Sequence, residues 1–111
     1  MFKIEKQLSV QWPVLIGIPR DGGGISKARI SAQFELLPNS EFQAIYSNGG
    51  NDEDLLRRVL LGWSDVADAD GNPLAFGSET RETLIQITYV RSALVAAYME
   101  CCSGREAARK N

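Results

Sequence analysis

Between Leu8 and Ile18 every even position is apolar: Leu8, Val10, Trp12, Val14, Ile16 and Ile18. The odd positions include Ser9, Gln11, Pro13, Gly17 and Pro19. Successive side chains of an extended chain point to opposite faces, so this parity predicts a strand with one face on a core. After the glycine-rich PRDGGGIS the alternation returns, with Ala28, Ile30, Ala32, Phe34 and Leu36 on one side and Lys27, Arg29, Ser31, Gln33 and Glu35 on the other. Two such strands joined by a glycine-rich loop make an antiparallel ribbon that needs covering on its apolar side only. Pro13 lacks an N–H, which places its strand at an edge or at a bulge. FKIEK, with Phe2 and Ile4 on one side, is expected to add a short strand.

The cover comes from the second half, where the apolar period becomes helical. Pro38 and Asn39 end the ribbon, SEFQAIYS predicts a short helix, and NGGN stops it. In NDEDLLRRVLLGW, Asn51 or Asp52 caps the first turn, three acids follow where the helix dipole favours them, and Leu55, Leu56, Val59 and Leu60 form the buried stripe. Gly62 is the expected C-terminal stop. Ser78 is the expected cap of a third helix carrying Leu84, Ile85 and Ile87, although Arg81 stands where a capping box wants Glu or Gln. The last helix, YVRSALVAAYMECC, repeats Val90, Ala93, Leu94, Ala97, Tyr98 and Cys101 at helical spacing, yet Val95, Ala96, Met99 and Cys102 make its other side apolar too.

At 111 residues there is material for one core. The expected fold is α+β: an N-terminal antiparallel β-ribbon of two or three strands packed on a C-terminal bundle of three to four helices. A single domain spans 1–104, with the ribbon at about 2–37 and the helices at about 39–102, and 105–111 is a polar tail expected to fray. A helix apolar all round needs cover on more than one side, and so small a domain covers it twice only with difficulty. Either part of the last helix faces another protein, or it is the central helix of the domain, packed on the ribbon and on the two other helices.

Residue chemistry removes most enzymatic readings. The chain has no histidine, so His-based triads, Cys–His dyads and the commonest metal ligand are missing together. RDGGGISK lacks the phosphate-loop spacing and leads into a strand instead of a helix N-terminus. With Gly71 as sixth residue of a calcium loop, the first and last ligands would be Val66 and Gly77, and neither offers a side-chain oxygen. Asp65, Asp68 and Asp70 lie in a polar stretch of turn-forming residues, so DADGNP is a tight turn and not an acid–base pair. Cys101 and Cys102 are adjacent, unsuited to a mutual disulfide, and are expected as buried, reduced thiols. No catalytic, cofactor-binding or metal-ligating residue is assigned, and no enzyme is expected. A net charge of −2 with scattered cations argues against nucleic acid, and no apolar run approaches a membrane span. MFKIEKQLSV alternates too much for a signal peptide, which leaves the cytoplasm as the expected compartment.

The order of features carries a resemblance. WPVLIGIPRDGG, a leucine-rich helix ending in Gly62-Trp63, a valine, the Asp-Gly-Asn-Pro-Leu turn, Phe76, a Ser-capped helix, and a helix running from Val90 through Ala97-Tyr98 resemble the tail assembly chaperones of long-tailed bacteriophages and prophages. The resemblance implies a protein in the host bacterial cytoplasm that binds the tape measure protein, helps recruit the tail tube protein, and is missing from the mature virion. Self-association is compatible with it. The alternative is a minor structural component of a tail or head-to-tail connector, and an enzyme or metal protein working through Asp65, Asp68 and Asp70 stands third. For partner binding the candidate residues are Trp63, Leu74, Phe76, Tyr89 and Met99. Trp63 and Phe76 flank the turn and also suit a clamp on it; Met99 suits a varied apolar client or a core gap.

The family often makes a longer product by ribosomal frameshifting, and Lys110-Asn111 is compatible with an A-rich slippery run. Sequencing the coding DNA should reveal a slippery heptamer before the stop codon with an open −1 frame beyond it. A gene with neither removes this expectation.

Overall fold

A computed structural model describes residues 1–6 and 8–107. The element order is β1 (Ser9–Pro19), a 3-10 turn (Asp21–Gly23), β2 (Ile25–Glu35), α1 (Asn39–Ser47), α2 (Asp52–Val59), β3 (Leu60–Ser64), α3 (Ser78–Ile85) and α4 (Thr88–Cys102). The fold is α+β, a three-stranded antiparallel sheet in the order β1-β2-β3 with four helices.

The ribbon keeps the parity of its sequence. Val10 pairs with Phe34, Trp12 with Ala32, Val14 with Ile30 and Ile16 with Ala28, so apolar residues oppose apolar residues until Ile18 meets Ser26 near the turn. The Leu36 N–H donates to the Leu8 carbonyl and the Arg20 N–H to the Gly24 carbonyl, both at 2.9 Å. Hydrogen-bonded pairs recur at every second residue of an antiparallel ladder, so the even pairs between these limits carry the bonds. The backbone groups of odd residues in β1 therefore point away from β2. Pro13 and Pro19 are both odd, and their missing N–H groups cost the ladder nothing on this edge strand.

Two expectations about the sheet change. Residues 1–6 form no strand, and the third strand is Leu60–Ser64, cut from the end of what the sequence marks as a helix. α2 ends at Val59 and Gly62 is a strand residue opposite Gln33, not a helix stop. The cause is non-local: the odd residues of β2 turn their backbone groups to the side β1 leaves open, and Ser31 and Gln33 find partners there in Ser64 and Gly62. A bulge between Gln33 and Phe34 brings Leu60 opposite Phe34, where it is fully buried.

The helix boundaries follow local chemistry. Gly49 takes φ 87°, and a Cβ on Gly50 would lie 2.4 Å from the Ile45 carbonyl oxygen, so the chain leaves α1 where only glycine fits. α2 then starts with a full capping box: the Asn51 side chain accepts from the Asp54 N–H at 3.1 Å, and the Asp54 carboxylate accepts from the Asn51 N–H at 3.0 Å. The expected cap at Ser78 is not made; Gly77 occupies that position and Ser78 begins the helix without a side-chain cap bond. Ile87 lies beyond α3, half-buried, and leads into α4.

α4 lies along β1 and also packs on α2 and α3. Its Val90, Leu94, Ala97 and Tyr98 meet the apolar face of the sheet and the buried Leu55, Leu56 and Val59 of α2. Each such aliphatic side chain contributes about 1.5–3 kcal/mol on burial. The Tyr98 ring stands edge-on to Phe34 at 5.3 Å between centroids. Its hydroxyl donates to the Glu35 carbonyl at 2.9 Å and accepts from the Leu37 N–H at 3.2 Å.

Burial holds the Tyr98 hydroxyl protonated well above the ordinary tyrosine range. The unfolded chain releases this proton first, so the contribution of Tyr98 to stability is present below the unfolded tyrosine pKa and declines as pH rises past it. Tyr98→Phe leaves two buried backbone groups without partners and should cost about 1–3 kcal/mol in urea unfolding at neutral pH. The loss of stability above the unfolded tyrosine pKa should be shallower in the variant than in the parent chain. An unchanged unfolding midpoint would mean that the two bonds contribute nothing.

Candidate protein-binding surface

The loop after β3 holds two of the candidate residues, Leu74 and Phe76, and Trp63 stands in β3 itself. Asp68 is an acceptor for the N–H groups of Asp70 and Asn72, at 2.9 and 3.0 Å, and Gly71 takes φ 85°. The Asp68 carboxylate is thereby used in building the turn, as DADGNP suggests. A bridge between Ala67 and Pro73 and a bond from the Leu74 N–H to the Val66 carbonyl close the loop on itself. Trp63 fastens it from the sheet: its indole N–H donates to the Leu74 carbonyl at 2.8 Å, and its ring meets Phe76 edge-on at 4.8 Å. All three are half-buried and packed against the core. Trp63, Leu74 and Phe76 are thus brought together as the clamp on the turn.

Tyr89 and Met99 lie elsewhere, on α4. The exposed positions of that helix include Tyr89, Ser92, Ala96 and Met99, spaced i, i+3, i+7 and i+10, which aligns them along one face. Tyr89 and Met99 keep 38% and 39% of their surfaces in water. This stripe carries no charge. The two charged residues of α4 are turned to its flanks and engaged there: Arg91 donates to the Ile85 carbonyl at 2.9 Å and pairs with Glu53 at 3.4 Å, while Glu100 accepts from the Trp12 indole at 3.2 Å.

A shallow groove runs on each side of the stripe. Toward the start of α4, Tyr89, Ser92 and Ala93 face Leu15, Gly17 and Pro19 of β1 across about 610 Å³. Toward its end, Tyr98, Met99 and Cys102 face Leu37 and Phe42 across about 400 Å³. Neither groove includes Trp63, Leu74 or Phe76. Ser92, Leu15 and Phe42 were not singled out from the sequence, and Ala96 entered only as part of the apolar other side of the last helix; the i, i+3, i+7, i+10 spacing on α4 was the available signal for Ser92. Cys101 is half-buried, and burial raises its thiol to about pKa 11, with Cys102 and Glu100 adding to the rise. Such a thiol is a poor nucleophile. Cys102 corrects the expectation of two buried thiols, for it is exposed at the end of the helix.

The charged residues outside this surface are largely structural. Arg57 bonds Glu82 and Asp54 and lies near Glu53, and Arg58 pairs with Glu35 and Glu41. The guanidinium of Arg57 holds the Glu82 carboxyl below the ordinary range, chiefly by hydrogen bonding. Among the described residues no group of three His, Cys, Asp or Glu side chains is placed to hold a metal ion, and no helix is long and apolar enough to cross a membrane. Comparison with family models, with curated proteins and with solved structures gives no match.

Trp63→Phe keeps a ring against Phe76 and removes the bond to Leu74. The variant should lose about 1 kcal/mol globally while hydrogen exchange at the Asp68 and Leu74 amides speeds up selectively. Unchanged exchange at both amides would show that the loop holds its shape without the tryptophan.

Proposed function

We propose that the protein is a tail assembly chaperone of a long-tailed phage or prophage, working in the host cytoplasm, and that the outer stripe of α4 is its client surface. The client is an apolar helical segment of the tape measure protein, held until the tail tube protein assembles around it. The observation that carries this reading is the uncharged face Tyr89, Ser92, Ala96 and Met99, flanked by grooves with apolar walls on both sides. A helix laid beside α4 would gain area from the stripe and both grooves, with Glu100, which shares a shallow hollow with Ala93 and Ala96, as the nearest charge on α4. Small residues at 92, 93 and 96 let a second helix approach closely, while Tyr89 and Met99 supply adaptable contact area at the two ends.

The clamp residues Trp63, Leu74 and Phe76 serve this reading indirectly, by fixing the loop after β3. Exposed apolar surface of this size suits a holding function because it is divided and shallow, which limits aggregation of the chaperone by itself. The stripe favours a transient binding partner over a retained tail part, which would need a larger permanent contact. Mass spectrometry of purified virions separates the two, since a chaperone should be missing and a tail component present in fixed stoichiometry.

The direct test is coexpression with the tape measure protein. Wild-type chain should keep it soluble and copurify with it. Ala96→Glu and Met99→Glu should each weaken binding by about tenfold or more, as desolvated central contacts do. Both positions are exposed on a helix, so circular dichroism should stay unchanged. Undiminished copurification with folded Ala96→Glu and Met99→Glu would remove α4 as the client surface.

A further inference from the structure

The chain displays an unpaired strand edge and an unpaired strand-like segment at once. β3 pairs with β2 only from Ser31 to Phe34, so the odd residues Ile25, Lys27 and Arg29 turn their N–H and C=O groups toward a side where no strand lies. Among the described residues, none of these groups makes a hydrogen bond to backbone or side chain. Such an edge is a template for a further strand. The other edge of the sheet is blunted by Pro13 and Pro19, and α4 packs against its strand.

Residues 1–6 supply a match. They form no pairing or hydrogen bond among the described residues, and Phe2 and Ile4 are 86% and 81% exposed. Their sequence alternates apolar and charged, Phe2-Lys3-Ile4-Glu5-Lys6, the pattern of a one-faced strand. The segment cannot fill its own edge. Its exit is fixed where the Leu8 carbonyl bonds Leu36, and the level of Lys27 is that of Gly17, nine residues along β1. At about 3.3 Å per residue this is about 30 Å, whereas the seven residues before Leu8 reach at most about 25 Å.

We propose that residues 2–5 of one copy add as an antiparallel strand to the free edge of β2 in a second copy. Polarity fixes the phase, because a slip of one residue would put Phe2 and Ile4 on the charged face of the sheet, and the charge of Glu5 against Lys27 selects among the registers in phase. In phase, Ile4 lies opposite Ala28 on the apolar face, and Phe2 falls at the end of the free edge, where Ser64 and Asp65 already border Ser31 and Ile30. Glu5 lies opposite Lys27, and Lys3 lies opposite Arg29, a like charge that Asp65 offsets from the hollow it shares with Arg29. The odd residues Lys3 and Glu5 then meet the free backbone groups of Arg29 and Lys27. The proposal is independent of the client reading, since α4 takes no part in it.

The test is sedimentation velocity on the full chain over a concentration series. Wild type should self-associate. Ile4→Asp on the arm, and Lys27→Pro, which removes an edge N–H as Pro13 does in β1, should each raise the dissociation constant by about tenfold or more. Mixing the two variants should restore association as a one-to-one pair, because each retains the half the other lacks. Ile4→Asp lies in a segment without packed neighbours, so it tests the proposal even if Lys27→Pro fails to fold. A monomeric wild type overturns the proposal, as does an Ile4→Asp variant that associates like wild type.

Discussion

The docking of Tyr98 onto the end of β2 is the contact on which the rest depends. Its ring closes over Phe34 and its hydroxyl takes the Glu35 carbonyl and the Leu37 amide together. A ribbon with one apolar face has many ways to be covered, since hydrophobic burial is not directional. Two hydrogen bonds and an edge-on aromatic contact are directional, and they select one rotation of α4 about its axis. That rotation puts Val90, Leu94 and Ala97 inward and leaves Tyr89, Ser92, Ala96 and Met99 outward. The orientation of the candidate binding stripe is thus a consequence of how the core is closed.

Electrostatics completes the arrangement at the periphery. The charged groups of the helices are drawn into a network in which Arg57 gathers Glu53, Asp54 and Glu82, and Arg91 reaches Glu53 and the end of α3. Exposed ion pairs of this kind add little stability one by one. Their structural effect is to engage charge at the flanks of α2, α3 and α4, which leaves the outer face of α4 uncharged. On the ribbon Lys27 and Arg29 are exposed beside a short β3, so the two halves of the molecule offer different surfaces: one apolar and helical, one an extended edge with cations along it.

Where local chemistry suffices, the sequence was legible. The parity of residues 8 to 18 and 28 to 36 specified the ribbon and its faces, because period two admits a single assignment of inside and outside. The turn at Asp68 to Asn72 was equally clear, since an aspartate followed by Gly71 carries its own hydrogen-bond partners and its own positive φ. The site was legible only in part. Trp63, Leu74 and Phe76 were found as aromatic and aliphatic anchors around that turn, but sequence gives no measure of which side of such an anchor is covered. Ser92 was overlooked, and Ala96 was read only as apolar surface, because small residues carry no chemistry of their own and matter only as the floor of a surface that larger ones frame.

The sequence by itself determined an α+β chain with a one-faced ribbon, helices that start and stop near Asn39, Asn51 and Gly49, and a residue set without histidine chemistry. Tertiary structure alone decided that Leu60 to Ser64 leave the helix. Leu55, Leu56, Val59 and Leu60 satisfy a helical period as well as any sequence can, but the odd edge of β2 at Ser31 and Gln33 needed backbone partners, and a helix offers none. It also decided which side of α4 faces water. Hydropathy along that helix is nearly uniform, so orientation came from one hydroxyl and one ring, whose partners lie more than sixty residues away in the chain.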